Sequence, residues 1–430
     1  MSSADAGPDS AGTARPNGVG RRVMYIDMAY TLDIVRRKGH FNFFETRHSS
    51  GFFDRVWGVH PLADIAGSNA GELRTYEFSP RQTIIEGVSR SRRWPRFLAP
   101  LDFLVTQARL VQDLTRLIKK ENIDLIFATD PAYGGLIGAI LKKRTRRPLA
   151  IGIYANLDFA YETARTLIMP RLLPWRWLQT LVVRSVLRRA DLLVGGTRNY
   201  LQFGIENGGE KAQHGVIPIA RNVEPCHLIP PQDRGDPTEL FRSLGIPGGR
   251  YMIMVSRLKS VKFADEGVRA MIAVAERDPQ AVGIVAGDGP LQAELEALAR
   301  ARGVAERIIF VGHIPQEALS RIAPHCVTIS PLTGMALVET GLGGSPAVAF
   351  DVEWQPEFVL EGVNGYTVPL RDHQAMAARV LKLLGDDDLR SRMSAAMRAR
   401  ALEVSDRGAI SMAERAIFEQ LLESRDASRA

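Results

Sequence analysis

Short apolar runs alternate with longer stretches of helical period along nearly the whole chain, and few architectures accept that alternation. In residues 104–156 a helical stretch runs to Lys120, "DLIFAT" reads as a strand, a glycine-rich turn opens another helix, and "RPLAIGIYA" is the next strand. "RRVMYIDMAY" at 21–30 suits a first strand buried on both faces, and 186–204 continues the pattern. Strands joined through helices by short connections pair in parallel, so the fold class is α/β. Residues 225–249, rich in Pro, Gly and Asp, interrupt the series. A second series follows, with "RYMIMVSRL", "AVGIVAGDGP", "RIIFVGH" and "HCVTISP" as its strands. The expected architecture is two Rossmann-like domains facing across a cleft, residues 21–225 and 249–405, joined by a linker at 226–248. A final helix at 406–430 is expected to cross back to the first domain, and 1–20 reads as a disordered leader.

A chain of 430 residues is too long for one ordinary core, which agrees with two domains. The first twenty residues lack the apolar core of a signal peptide, and no apolar run reaches the roughly 18–20 residues that span a bilayer. Cys226 and Cys326 are too few for a disulfide framework or a metal site, so a cytoplasmic location is expected. Residues 21–225 hold 31 Lys/Arg against 19 Asp/Glu, a net +12, while the whole chain is only +7, so the remainder is net negative. The first half therefore carries a positive field suited to an anionic partner or surface; arginine-rich usage alone is the other explanation. No recognised nucleic-acid motif accompanies that charge, and no nucleic-acid partner is expected.

In open parallel sheets ligands bind beyond the carboxyl ends of strands. Four stretches of the second half fall there. "VSRLKSVKF" delivers Arg257 and, five residues on, Lys262, two cations that could neutralise a diphosphate and steady a leaving phosphate without a metal. "VAGDGP" offers Gly287 and Gly289 for a tight turn, and "FVGHIP" ends a strand in Gly312-His313. Gly334, Met335 and Ala336 open a helix whose free N–H groups make an anion site, and Glu339 stands one and a half turns further on. Taken singly, each has a plain alternative: surface cations, an ordinary turn, a loop histidine, a helix-surface acid. "GDDDLR" at 385–390 reads as a solvated turn, and no metal site is expected.

The order of the four is more telling than any one of them. Residues 245–400 resemble the donor domain of retaining GT-B glycosyltransferases of family 4, through "SRLKSVK", "GDGP", "FVGH", "TGMALVE" and then "GGSPAVAFDVEWQPEFVLEGVNGYTVP". The first half resembles the family more weakly, through "DLIFATDPAYGGLIGAILKK", "RPLAIGIYANLDF" and "HGVIPIARNVEP". The resemblance implies a retaining, metal-independent transfer from a nucleotide diphosphate sugar, a co-substrate and not a cofactor. Arg257 and Lys262 would be the catalytic cations. Gly287, Gly312, His313, Gly334, Met335, Ala336 and Glu339 would bind the donor, Glu339 through the ribose. The family's first glutamate would fall at 331, where this chain has Pro331. That departure leaves open an unusual donor such as a deoxy or amino sugar, a substitute among Asp351, Glu353 and Glu357, or lost activity.

By the same resemblance the first half would hold the acceptor, a glycan with a lipid-linked one among the candidates, in polysaccharide or glycolipid assembly. "YANLDF" places Asn156 and Asp158 where the family often has a histidine, and Asp27, Tyr30 and His40 follow the first strand. Residues 163–190 carry six arginines, two tryptophans and no acid, which suits a peripheral helix on the inner, anionic face of a membrane. A core helix whose arginines reach outward fits the same composition. A nucleotide-sugar 2-epimerase and a non-catalytic nucleotide-sugar-binding partner subunit are the alternative functions.

Overall fold

The computed structural model describes residues 20–38, 46–65, 73–91 and 95–427. The first domain is one sheet of β1 (Arg21–Ile26), β2 (Phe53–His60), β3 (Arg74–Ser79), β4 (Gln82–Glu86), β5 (Leu125–Ala128), β6 (Leu149–Ile153), β7 (Leu192–Gly195) and β8 (Gln213–Val216). Its strand order is β3-β4-β2-β1-β5-β6-β7-β8. Only β3 runs antiparallel to its neighbour. The second sheet is wholly parallel, with β9 (Arg250–Val255), β10 (Ala281–Ala286), β11 (Ile308–Gly312), β12 (Cys326–Ser330), β13 (Ala347–Phe350) and β14 (Gly365–Val368) in the order β11-β10-β9-β12-β13-β14.

The unbroken apolar strands follow from burial on both faces. Met24 and Ile26 face a core shared with the helices Ala99–Lys120, Tyr133–Thr145 and Arg176–Leu187. Val23 and Tyr25, one residue out of phase, face a separate core built with the last helix, Arg407–Ala427. There Phe418 lies against Phe53 and Phe127, with ring centroids 5.2 and 6.2 Å away. The end of the chain thus completes one face of the first domain.

Residues 226–248, expected as a linker, are anchored to the second domain. Phe241 and Ile246 share a core with Ile253 and Ile284. The buried Arg234 donates to the carbonyls of Ile229, His227, Ser320 and Leu342 at 2.6–2.8 Å. Further contacts tie the domains together beside the cleft. Glu357 accepts the backbone N–H groups of Arg198 and Asn199 at 3.1 and 2.7 Å, capping a first-domain helix from the second domain. Phe159 meets Phe263 edge to face, and Arg371 donates to the Thr163 carbonyl at 2.9 Å.

Each sheet reverses its winding beside its first strand: between β1 and β5 in one, between β9 and β12 in the other. Those reversals open crevices at the carboxyl ends of the strands. Asp27 and Thr129 leave one crevice edge, Ser256 and Pro331 the other, and the two edges face each other.

Candidate active site

Between the two edges lies a cavity of about 840 Å³. Tyr25, Asp27, Tyr30, Arg47, Thr129 and Tyr154 line it from the first domain, and Arg257, Gly287, Asp288, His313, Met335, Ala336 and Glu339 from the second. Asn222 and Glu224, just before the connecting segment, complete the wall. Among the residues singled out in the sequence, Lys262, Gly312, Gly334, Asn156 and Asp158 do not line it, and His40 lies outside the described residues.

Arg257 stands exposed on the loop after β9, and two glycines explain how that loop is held. Gly287 has φ +135°, and a Cβ there would sit 2.0 Å from the Ser256 carbonyl oxygen. Gly289 has φ +157°, and its Cβ would come within 2.4 Å of the Leu258 oxygen. With no side chains in the way, the turn after β10 lies flat against the loop on both sides of Arg257. Leu258 donates to Asp288 O at 2.8 Å, and Gly287 donates to Gly312 O at 2.7 Å. Gly287 and Gly312 therefore shape the wall through backbone.

Lys262 sits behind Arg257 on a short turn. Burial lowers its pKa, as does Arg257, while Glu353 acts in the opposite direction. Glu353 belongs to the second domain but is held by the first: Tyr200 donates to it at 3.2 Å, and so does the Asn156 backbone N–H. Burial raises the Glu353 pKa first, with Lys262 opposing.

The helix Met335–Leu342 starts at Gly334, whose φ of +74° favours glycine, and no side chain caps it. Its leading residues, Met335 and Ala336, line the cavity, so its uncapped end faces the space where an anion would lie. Glu339 follows on the same wall. Its pKa is raised to about 7, by burial first and then by the charge of Glu224, against a hydrogen bond from Gln316. Gln316 is in turn fixed by His227, whose Nε2 lies 2.7 Å from Gln316 Oε1. Burial pushes His227 down to about 4, so the ring is neutral and its Nε2–H donates. The Gln316 amide nitrogen is then left to face Glu339.

Pro331 is accounted for by packing. Its ring fills the space above Gly267, where an added Cβ would lie 3.0 Å from the proline Cγ. Buried Gln355 secures the surrounding loop, donating to Pro331 O and Phe350 O at 3.1 Å each and accepting from Ser330 Oγ at 2.5 Å. None of Asp351, Glu353 and Glu357 lines the cavity.

On the first domain, Asp27 and Arg47 form a buried ion pair at the cavity wall, and the Arg47 guanidinium lies 5.1 Å from the Tyr25 ring centre. Asp27 also accepts the Ala29 N–H at 2.7 Å, which fixes the chain as it leaves β1. The Tyr30 hydroxyl has a raised pKa, through burial first and Asp27 second. Arg257 and Glu339 also act on it, so Tyr30 stands where the two halves meet. Asn156 and Asp158 have other work: Asn156 caps the helix Leu157–Ala164, accepting from Asp158 N and Phe159 N at 3.1 Å, and Asp158 pairs with Arg176. Among the described residues no group of three or more His, Cys, Asp or Glu is placed to hold a metal ion.

Arg47, His227 and Gln316 were invisible to sequence reasoning, since none sits in a patterned motif, and Glu224 falls within "HGVIPIARNVEP" but was not singled out there. Only the strand ends gave a signal, and Asp27 carried it.

The fold agrees with what the chain resembles. The family "Glycosyl transferases group 1" matches residues 236–400, and "Glycosyl transferase 4-like domain" matches 67–220. The chain is 27% identical to alpha-D-kanosaminyltransferase of Streptomyces kanamyceticus over 304 residues, 61% of this chain and 78% of that protein. It is 25% identical to the GDP-mannose-dependent alpha-(1-6)-phosphatidylinositol monomannoside mannosyltransferase of Mycolicibacterium smegmatis, over 71% of this chain and 78% of that one. Sucrose-phosphate synthase from Thermosynechococcus elongatus superposes with a TM-score of 0.72 at 16% identity, covering 94% of this chain and all of that one. Anabaena HepE in complex with UDP-glucose does so at 0.66 and 20%, covering 94% and 99%. The chain belongs to the GT-B glycosyltransferases of family 4 type, and it is an enzyme of that class.

Proposed function

We propose that the enzyme takes a sugar from a nucleoside diphosphate sugar and passes it, with retention at the anomeric carbon and without a metal, to a hydroxylated acceptor. The observation carrying this reading is the convergence of Arg257, the uncapped start of the Met335 helix and Glu339 on one wall of a single cavity. A cation and a helix N-terminus suit the diphosphate. A carboxylate beside them suits the two ribose hydroxyls, each of which can donate to it. Opposite, Tyr30, Asp27, Thr129 and Tyr154 offer polar groups to an acceptor.

In this reading the acceptor hydroxyl approaches on the face the leaving phosphate vacates, and that phosphate takes its proton. The chain's share is to align the two substrates and to hold the developing negative charge with Arg257, supported from behind by Lys262. Pro331, turned into the core, presents no carboxylate to the sugar, and none of Asp351, Glu353 and Glu357 lines the cavity in its place. That favours a donor sugar lacking a usual hydroxyl contact, a deoxy or amino sugar. The kanosaminyltransferase relative is consistent with this choice, and the phosphatidylinositol monomannoside mannosyltransferase with a lipid-linked acceptor.

Incubation with a panel of nucleotide sugars and acceptors, in chelator, tests the reading. An α-donor giving an α-product supports it. Inversion, or turnover only after metal is restored, overturns the mechanism while leaving the donor site in place.

A further inference from the structure

We propose that the first domain seats on an anionic lipid surface through the leading halves of two neighbouring helices, Ala99–Lys120 and Arg176–Leu187. Large apolar side chains stand in solvent there: Phe97 is 81% exposed, Leu104 63%, Trp175 58%, Trp177 64% and Leu181 60%. They fall in regular stripes. Leu101 and Leu104 share one face of the first helix, with Phe97 on the short 3-10 turn that leads into it, and Trp177 and Leu181 are one turn apart on the other. The Trp175 and Trp177 rings stack, with centroids 6.0 Å apart.

Chain direction puts the stripes at one level. Each helix runs into the amino end of a parallel strand, β5 or β7, so each begins at the carboxyl edge of the sheet. That is the edge at which the cavity opens. Between the two helices packs Tyr133–Thr145, which itself carries no acid; its exposed Lys143 and Arg144 stand in its last turn, toward the other edge of the sheet. On the Trp177 stripe the apolar residues give way to Arg184 and Arg188.

The charge selects the occupant. Residues 163–190 hold six arginines and no acid, within a domain region of net +12. A layer of anionic headgroups answers such a face everywhere at once, tryptophan settles at the headgroup level, and arginine reaches the phosphates. Among the described residues no helix is long and apolar enough to cross a membrane, so the seating is peripheral. It would turn the cleft mouth toward the lipid. This inference stands on the surface alone and not on the transfer reading, and binding, not turnover, tests it.

The test is co-sedimentation of the full chain with vesicles of phosphatidylcholine alone or mixed with phosphatidylglycerol. The wild type should pellet with the mixed vesicles and bind phosphatidylcholine roughly tenfold or more weakly, with the difference shrinking in high salt. The triple variant Trp175→Ser, Trp177→Ser, Leu181→Ser should lose roughly tenfold or more of that affinity, and Arg171→Glu with Arg188→Glu a similar amount. Both should keep the wild-type melting temperature, since these side chains stand in solvent. A wild type that ignores anionic vesicles overturns the proposal. So does a triple variant that binds as the wild type does, or one whose only change is from dimer to monomer in light scattering, which would make the face a protein interface.

Discussion

His227 Nε2 lies 2.7 Å from Gln316 Oε1, and that contact decides which end of the Gln316 amide meets Glu339. A neutral histidine donates through Nε2, so the amide oxygen is taken and the amide nitrogen is left for the carboxyl. Glu339 is thus met by a side chain that is oriented from a segment that reads as a linker.

Burying His227 to make that contact has a cost in acid, which the hydrogen bond to Gln316 only partly offsets. His227 is held neutral, with its pKa near 4 against the ordinary 6.5, so the folded state binds fewer protons than the unfolded chain between those values. Stability should therefore fall as pH drops from about 6.5 toward 4, by roughly 3 kcal/mol from this group at the lower end. Denaturant unfolding at pH 7 and pH 4.5 measures it. His227→Gln should flatten this part of the profile, and an unchanged slope would remove His227 as its source.

Glu339 gives the opposite sign. Its raised pKa of about 7 means that the empty folded state holds an extra proton between the ordinary carboxyl value and 7. This group's relative stabilisation is complete at low pH and is lost as pH rises through 7. In the proposed reading binding follows ionisation, because the carboxylate would accept two hydroxyl hydrogen bonds at once. Affinity for a nucleotide sugar, whose diphosphate has no terminal phosphate to titrate, should rise severalfold between pH 6 and 8. Calorimetry at the two pH values checks this, and Glu339→Gln should abolish the dependence.

Gly287→Ala places a methyl where only 2.0 Å separates it from the Ser256 oxygen, at a φ of +135°. Backbone must move, and it is the backbone that presents Arg257. The substitution should destabilise the second domain by roughly 2 kcal/mol or more and weaken donor binding beyond what the stability loss explains. Gly303→Ala, at φ +68° but in open space, is the matched control for thermal unfolding and calorimetry.

Phe418→Ala should destabilise the first domain by about 3–5 kcal/mol, because the ring is fully buried against Phe53 and Phe127. Truncation after Arg407 should do more, exposing that core outright. A truncated chain with the full-length melting temperature would mean the last helix contributes no packing energy.

The second-domain wall of the cavity was legible because its residues are local. Arg257, the turn glycines, His313 and the Met335–Glu339 helix each leave a strand end, and strand ends can be read one at a time. The first-domain wall was not, because its partners meet only in space. Arg47 reaches Asp27 from twenty residues away, and Asn156 and Asp158 are the right residue types at a strand end but are taken by a helix cap and an ion pair. Residues 226–248 have a linker's composition, yet Arg234 alone ties them to four carbonyls. Composition reports what a segment disfavours; a buried arginine's partners come from elsewhere in the chain.

The most direct measurement is calorimetric binding of a panel of nucleotide sugars to the wild type and to Glu339→Ala. Micromolar binding corresponds to about 8 kcal/mol. Losing one charged hydrogen-bond partner should remove roughly 1.5–3 of that, a tenfold or greater drop. One nucleotide sugar held by the wild type and weakened to that degree is the predicted result. A panel in which nothing binds, or one in which Glu339→Ala binds as tightly as the wild type, would contradict the assignment of this wall to the donor.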